Sequence, residues 1–101
     1  MFKIEPAETF VCTVEIPQKG GAIGSIDVEY RYKKLEERIG FANRLKEMNT
    51  VDALEEIIHG WSGADLEYSR ASLETLLNEH DSAGPLLDAF FKFYGWGIEK
   101  N

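Results

Sequence analysis

Apolar and polar residues alternate along two stretches near the start of the chain. Every second residue is apolar over residues 9–16, and the same period of two returns over residues 26–32. This period is typical of a β-strand with one buried face. Pro17 and two glycines interrupt the pattern between the stretches. Two such runs joined by a glycine-containing turn predict an antiparallel hairpin, with strands over about residues 9–17 and 25–32.

Beyond residue 32 the apolar residues recur at steps of three and four, which is the spacing of one helical face. This part of the chain predicts three or four helices. Their starts are marked by polar residues that can cap a helix: Asn49 or Thr50, Ser69 and Ser82. The apolar side of the second helix is expected to include Ile58 and Trp61, and Gly60 suits its C-terminal cap.

Strands that come first and helices that follow favour an α+β domain over a parallel α/β sheet. A hairpin is not stable in water by itself, so we expect the helices to cover its apolar face. The 101 residues are enough for one modest core. We therefore predict a single domain over residues 1–101, with the hairpin at 9–32, a helical part at 33–94 and a tail at 95–101. A free edge of the hairpin is available for pairing with another subunit, so a homo-oligomer is a further expectation.

The negative charge of the chain lies in its second half. The formal net charge is −7; residues 1–50 hold eight basic and eight acidic side chains, whereas residues 51–101 hold three and ten. Affinity for nucleic acids depends mainly on cations that displace phosphate counterions, so an acidic half opposes nucleic-acid binding. Two interpretations of the imbalance remain: it keeps the protein soluble, or it steers the protein toward a basic partner.

The sequence favours the cytoplasm over a membrane or a secreted location. It has no run of about 18 apolar residues, as a membrane-spanning helix would need. Residues 1–6 lack the apolar core of a secretory signal. Cys12 is the single cysteine and cannot form an internal disulfide, which fits a reducing compartment.

The residues that most often carry catalysis or bind metals are scattered. Cys12 lies in an apolar strand pattern, and His59 and His80 lie on different elements, so the close paired spacing of a zinc site is missing. A thiol nucleophile would need a histidine beside it, which nothing in the spacing provides. The segment 20–24 lacks the Lys-Ser/Thr step of a phosphate-binding loop. We therefore expect no catalytic site, no metal site and no cofactor.

Aromatic residues are the better candidates for function. Trp61, between two glycines, is either a core anchor whose indole N–H finds a carbonyl or the centre of a protein interface. The end of the last helix carries aromatics that point in several directions, more than one apolar stripe can bury. Surplus aromatics of this kind often mark a partner surface. The candidate protein-binding residues are Trp61, Tyr68, Phe91, Phe93, Tyr94 and Trp96, and Ile98 adds apolar surface beyond them.

Several motifs, in their order along the chain, resemble those of a known protein family. The run 60–77 contains a Gly-Trp step, a further glycine, an Asp, the step Tyr68-Ser69 and a Leu-x-x-Leu-Leu helix. With the strand pair at 10–32 and the closing helix at 86–94, it resembles the small tail assembly chaperones of long-tailed phages and prophages. The family often has an aromatic-Pro step after the Leu-Leu helix, whereas this chain has His80-Asp81.

This resemblance implies a binding protein and not an enzyme. Proteins of that family coat the long tape measure protein and keep it soluble until tail tube subunits polymerise around it. The implied partners are therefore the tape measure protein and the tail tube protein. The alternative is a small structural component of the tail that is retained in the particle, and copurification with virions separates the two. An enzyme is the third class, and no constellation of residues supports it.

Overall fold

The structure, a computed structural model, describes residues 1–96. Within them, three strands and four α-helices follow one another. The strands are β1 (Thr9–Pro17), β2 (Ile23–Arg31) and β3 (Ile58–Ser62), and the helices are α1 (Leu35–Arg44), α2 (Thr50–Ile57), α3 (Arg70–Glu79) and α4 (Ala83–Phe93). Single 3-10 turns lie at Lys19–Gly21 and Leu45–Glu47. The architecture is α+β, as predicted.

Strands β1 and β2 form the predicted antiparallel hairpin. Their register is uninterrupted from the pair Thr9 and Arg31 to the pair Pro17 and Ile23. The turn between them requires two residues in the left-handed region: Gly20 has φ 80° and Gly21 has φ 87°. Glycine adopts these angles without the clash that a Cβ atom would cause, which is why this turn closes the hairpin.

The sheet has a third strand that was not predicted. Helix α2 ends at Ile57, and the chain passes directly into β3, which pairs antiparallel with β2. The expectation that α2 carries Trp61 and ends at a Gly60 cap is therefore wrong. The part of the chain predicted as helical, 33–94, contains this strand.

A β-bulge explains why the strand resembled a helix in sequence. Tyr30 is opposite Ile58, whereas the next residue of β2 back along the chain, Glu29, is opposite Gly60. His59 is thus an extra residue in β3, and the residues after it are shifted by one position. Ile58 and Trp61 consequently lie on the same face although they are three residues apart, which is also the spacing of a helical stripe.

Arg31, and not a glycine cap, satisfies the free carbonyls at the end of α2. Its Nη1 donates to the carbonyl oxygens of Glu55 at 3.0 Å and Ile58 at 2.8 Å. The last carbonyls of a helix have no intrahelical partner, and a cation near them is also favoured by the helix dipole. One side chain of the neighbouring strand therefore stabilises the abrupt step from helix to strand.

The predicted caps were correct in two of three places. Asn49 Oδ1 accepts from the backbone N–H groups of Val51 and Asp52, so it is Asn49 that caps α2. Ser69 Oγ accepts from the backbone N–H of Ser72 and caps α3. Ser82 precedes α4 but makes no cap bond, because its buried hydroxyl is directed at carbonyls of the preceding turn.

One hydrophobic core lies between the sheet and the helices. Tyr30 is fully buried there, and its hydroxyl donates to the Leu86 carbonyl at 2.7 Å, which satisfies the polar atom. Burial raises the pKa of Tyr30 well above its usual range. Phe41 of α1 meets Phe90 of α4 edge to face, with 5.7 Å between ring centroids. The buried apolar residues are Val14, Ile16, Val28, Tyr30, Phe41, Val51, Ala53, Leu54, Ile57, Ile58, Leu73, Leu86 and Phe90.

Ion pairs join the helices at the surface. Glu56 of α2 receives a two-pronged hydrogen bond from Arg44, with both distances 2.9 Å, and pairs with Lys33 at 3.0 Å. Because of the Arg44 hydrogen bond, the pKa of Glu56 falls to about 2. Arg70 of α3 pairs with Asp52 at 2.9 Å across to α2. Helix α2 is thus tied to α1 on one side and to α3 on the other.

Candidate protein-binding surfaces

Trp61 organises the loop between β3 and α3. Its indole Nε1–H donates to the carbonyl of Leu66 at 2.9 Å, as the core-anchor interpretation predicted. Its ring meets Tyr68 edge to face, with 5.0 Å between centroids. Burial raises the pKa of Tyr68, whose hydroxyl makes no hydrogen bond to residues 1–96. Trp61 and Tyr68 therefore act as a pair that holds the loop against β3.

The half-buried ring of Trp61 also borders a cavity of about 260 Å³. We call this cavity the Trp61 groove. Its lining combines apolar side chains with two carboxylates: Ile26, Trp61, Ala64, Asp65, Leu66, Ser72, Thr75, Leu76, Glu79 and His80. Leu66 is 53% exposed at its rim. The groove therefore presents a mainly apolar surface with two acidic side chains at one side of the domain.

Trp96 is placed by the way in which α4 ends. Gly95 has φ 79°, which turns the chain back on the helix. The Gly95 N–H donates to the Lys92 carbonyl at 2.9 Å, and the Trp96 N–H donates to the Phe91 carbonyl at 3.0 Å. These two bonds form a Schellman motif, which commonly brings the residue after the glycine onto the last turn. Trp96 accordingly stacks on Phe91 at 5.8 Å, with the rings 3° from parallel.

Arg38 of α1 packs against the same end of α4. Its guanidinium carbon lies 4.0 Å from the centre of the Tyr94 ring and 5.1 Å from that of Trp96. These are cation–π distances, and the Arg38 Nε–H also donates to the Lys33 carbonyl at 3.0 Å. The Tyr94 hydroxyl accepts from the Lys33 backbone N–H at 2.9 Å. The start of α1 therefore fixes the rings of Tyr94 and Trp96.

Phe93 presents the largest exposed apolar side chain of α4. It is 50% exposed, and its inner side stacks on Phe10 of β1 with 3.7 Å between centroids and 7° between ring planes. Phe10 also stacks on Tyr30 at 5.4 Å, which connects Phe93 to the core. A connected series of contacts joins the side chains at this end of α4, and we call it the aromatic face; its residues are Phe10, Arg38, Phe91, Phe93, Tyr94 and Trp96.

The six candidate residues thus fall into two groups. Trp61 and Tyr68 contact each other, and Phe91, Phe93, Tyr94 and Trp96 belong to the aromatic face. Ile98 lies outside the described residues. Phe10 and Arg38 also belong to the aromatic face, although neither was predicted as a binding residue from the sequence. Phe10 could have been found, since its place in the strand period puts it on the covered side of the sheet; no signal in the sequence pairs Arg38 with the end of α4.

The helix α4 uses more than one of its sides. Phe90 is buried in the core, Phe91 packs against Phe41 at 6.0 Å, and Phe93 lies over Phe10. The expectation that the core of the domain covers only one apolar stripe of this helix is therefore wrong, since side chains on several sides of α4 pack against other elements. What remains exposed is concentrated at Phe93.

The thiol and the histidines lie on three different elements: Cys12 in β1, His59 in β3 and His80 at the C-terminal cap of α3. Cys12 is half-buried, and burial raises the pKa of its thiol, which disfavours the nucleophilic thiolate. Among residues 1–96 no three His, Cys, Asp or Glu side chains lie close enough together to hold a metal ion. No helix in the same range is both long and apolar enough to cross a membrane.

Comparison with known proteins places the chain in a family. Neither the curated proteins nor the solved structures gave a significant match. Residues 1–95 match the family described as phage tail assembly chaperone. Since this match covers nearly the whole of the 101 residues, the chain belongs to the phage tail assembly chaperone family.

Proposed function

We propose that this chaperone binds the tape measure protein of its phage and keeps it soluble until the tail tube protein polymerises around it. Membership of the family supports a role in tail assembly and indicates a non-catalytic protein. The tape measure protein is the client that the sequence resemblance implies, and the tail tube protein is the partner that displaces the chaperone. The complex would form in the cytoplasm of the host cell.

The observation that carries this proposal is the exposure of Phe93 on the aromatic face. Phe93 is 50% exposed, so part of its apolar ring is in contact with water. Burying that area against a partner is favourable. Interfaces often use aromatic and Arg side chains as anchors; here Tyr94 contacts Phe93, and Arg38 packs on Tyr94 and Trp96. The intramolecular stacks also fix these rings before binding, so little rotamer freedom is lost when a partner docks.

We assign the client contact to the aromatic face and a supporting contact to the Trp61 groove. The client would place apolar side chains of its helical stretches on Phe93 and Trp96, since a helix can present a row of anchors to such a surface. The seven excess negative charges of the chaperone would then keep the complex soluble. Masking of this kind is reversible because no covalent chemistry is involved.

A pull-down of the tape measure protein tests the assignment. The double variant Phe93→Ser with Trp96→Ser should fold but retain less than a tenth of the client, because the aromatic anchors are lost. Ile23→Ser is the matched control: this residue is an exposed apolar side chain, 66% exposed, at the start of β2. It should bind the client as the parent does.

Other results of the pull-down would distinguish the aromatic face from the Trp61 groove as the client site. Leu66→Ser removes an exposed apolar side chain from the Trp61 groove; if it abolishes capture while the double variant does not, the groove is the main client site. Loss of cooperative unfolding in the double variant would show that Phe93 and Trp96 are needed for the fold. Mass spectrometry of purified virions tests the chaperone role itself, since a chaperone is absent from the finished particle and a structural component is present.

A further inference from the structure

The two outer strands of the sheet differ in how well their free edges are protected. In the described part of the chain the strand order is β1-β2-β3, so β1 and β3 each have one unpaired edge. Strand β3 has five residues and contains a bulge, and both features limit pairing with another chain. Strand β1 has nine residues, pairs with β2 without a register shift and has no proline before Pro17 and no Lys or Arg.

The backbone groups that point to the free edge of β1 can be identified. The Tyr32 N–H donates to the Glu8 carbonyl, and the Gln18 N–H donates to the Ala22 carbonyl, both at 2.8 Å. Hydrogen-bonded pairs recur at every second residue of an antiparallel ladder. Even-numbered residues of β1 therefore direct their backbone groups at β2. The residues that direct them outward are Thr9, Val11, Thr13 and Glu15.

We propose that this edge pairs antiparallel with β1 of a second copy of the chain, about a two-fold axis at Thr13. The two sheets would then form one continuous sheet of six strands. Thr13 would face its counterpart, and Val11 would face Glu15 of the second copy. This interface does not depend on the identity of the client.

The side chains of β1 complement themselves in this register. On the covered side of the sheet Phe10 meets Ile16 and Cys12 meets Val14, so apolar residues face apolar residues. On the outer side, Glu15 is the one charged residue of the strand and lies opposite Val11, which is 63% exposed in the isolated chain. No like charges face each other, which would destabilise a strand pair. A two-fold axis is also the commonest symmetry of protein assemblies.

Cysteine cross-linking tests both the edge and the register. In a Cys12→Ser background, Thr13→Cys would place two thiols across the axis, with Cα atoms about 5.5 Å apart in a hydrogen-bonded pair. This separation suits a disulfide. Mild oxidation should convert most of the protein to a covalent dimer on a non-reducing gel.

Glu15→Cys in the same background is the matched control. This residue lies on the same strand and the same exposed side, but the proposed register separates the two introduced thiols by four residue positions, or about 13 Å. It should give less than a tenth of the dimer obtained with Thr13→Cys. Equal yields from both variants would mean random collision and would overturn the proposal.

Sedimentation of uncross-linked protein gives an independent measurement. Val11→Glu would oppose Glu15 of the second copy and should weaken dimerisation at least tenfold, whereas Val11→Lys should preserve it. Circular dichroism checks that both variants are folded, since residue 11 also faces Glu29 within the chain. A parent protein that stays monomeric at all concentrations would overturn the proposal. So would a Val11→Glu variant that loses the client without any change in oligomeric state, because the edge would then bind a client strand.

Discussion

Trp61 and Trp96 are both half-buried beside another aromatic ring, but they are held by different kinds of contact. Trp61 uses its own indole N–H to bind the loop carbonyl of Leu66. Trp96 is positioned by backbone bonds around Gly95, and its ring makes stacking and cation–π contacts. In the first case the ring holds the backbone in place, whereas in the second the backbone holds the ring. We therefore expect the first ring to contribute more to stability, and we propose the second as a binding residue.

The largest difference between the two regions should be seen when each ring is removed. Trp61→Ala should lower the free energy of unfolding by about 3 kcal/mol, at the lower end of the range for large buried aromatics because the ring is half-buried. Trp96→Ala should cost about 1 kcal/mol, the value of an aromatic stack. Urea unfolding of both variants measures the contrast. If Trp61→Ala keeps the parent midpoint and loses the client instead, Trp61 is an interface residue.

The contrast also shows what the sequence could predict. Period-two alternation located both strands of the hairpin, and cap residues located the starts of α2 and α3, because these signals are local. Strand β3 was missed since the bulge at His59 gives Ile58 and Trp61 a helical spacing. Without β3, the sequence could not show that Arg31 closes the end of α2.

The two candidate surfaces were predictable to different degrees. The hydrogen bond of the Trp61 indole could be predicted, because an indole N–H that is shielded from water usually donates to an acceptor. The acceptor is the carbonyl of Leu66, five residues further along the chain. The segment 95–101 was predicted as a tail; of it the structure describes Gly95 and Trp96, and Trp96 packs on Phe91. This packing depends on a left-handed Gly95 and on Arg38 from a distant helix. Arg38 and Trp96 are far apart in sequence, and a contact of this kind leaves no periodic signal.

A substitution at Gly95 should affect the surroundings of Trp96 and leave those of Trp61 unchanged. Gly95→Ala places a Cβ at φ 79°, which should cost about 1–2 kcal/mol and loosen the Schellman motif. In a Trp61→Phe background the emission of Trp96 should shift to the red as the ring becomes exposed. Gly84→Ala is the matched control, because Gly84 lies in α4 with open space around it and no positive φ. An unchanged Trp96 emission in Gly95→Ala would show that the stack, and not the turn, positions the ring.

The smallest expected effect concerns Glu56, which helps to hold α1 where Lys33 and Arg38 contact the end of α4. Glu56→Gln replaces a charged acceptor by a neutral one and should lower stability by about 1 kcal/mol or less at neutral pH, because the ion pairs are partly exposed to solvent. Urea unfolding measures the loss. Glu74→Gln is the control, since Glu74 of α3 pairs more loosely, at 3.4 Å, with Arg70 of the same helix.

The dependence of this effect on pH makes the assignment specific. The folded pKa of Glu56 is about 2, below its ordinary value of 4.5, so the unfolded chain binds the proton more readily. The stabilisation is therefore complete above pH 4.5 and is lost as the pH falls toward 2. The stability difference between parent and Glu56→Gln should close over that window, and the emission of Trp96 should change with it while that of Trp61 does not. A difference that stays constant from neutral pH down to pH 2 would mean that Glu56 acts through packing and not through its charge.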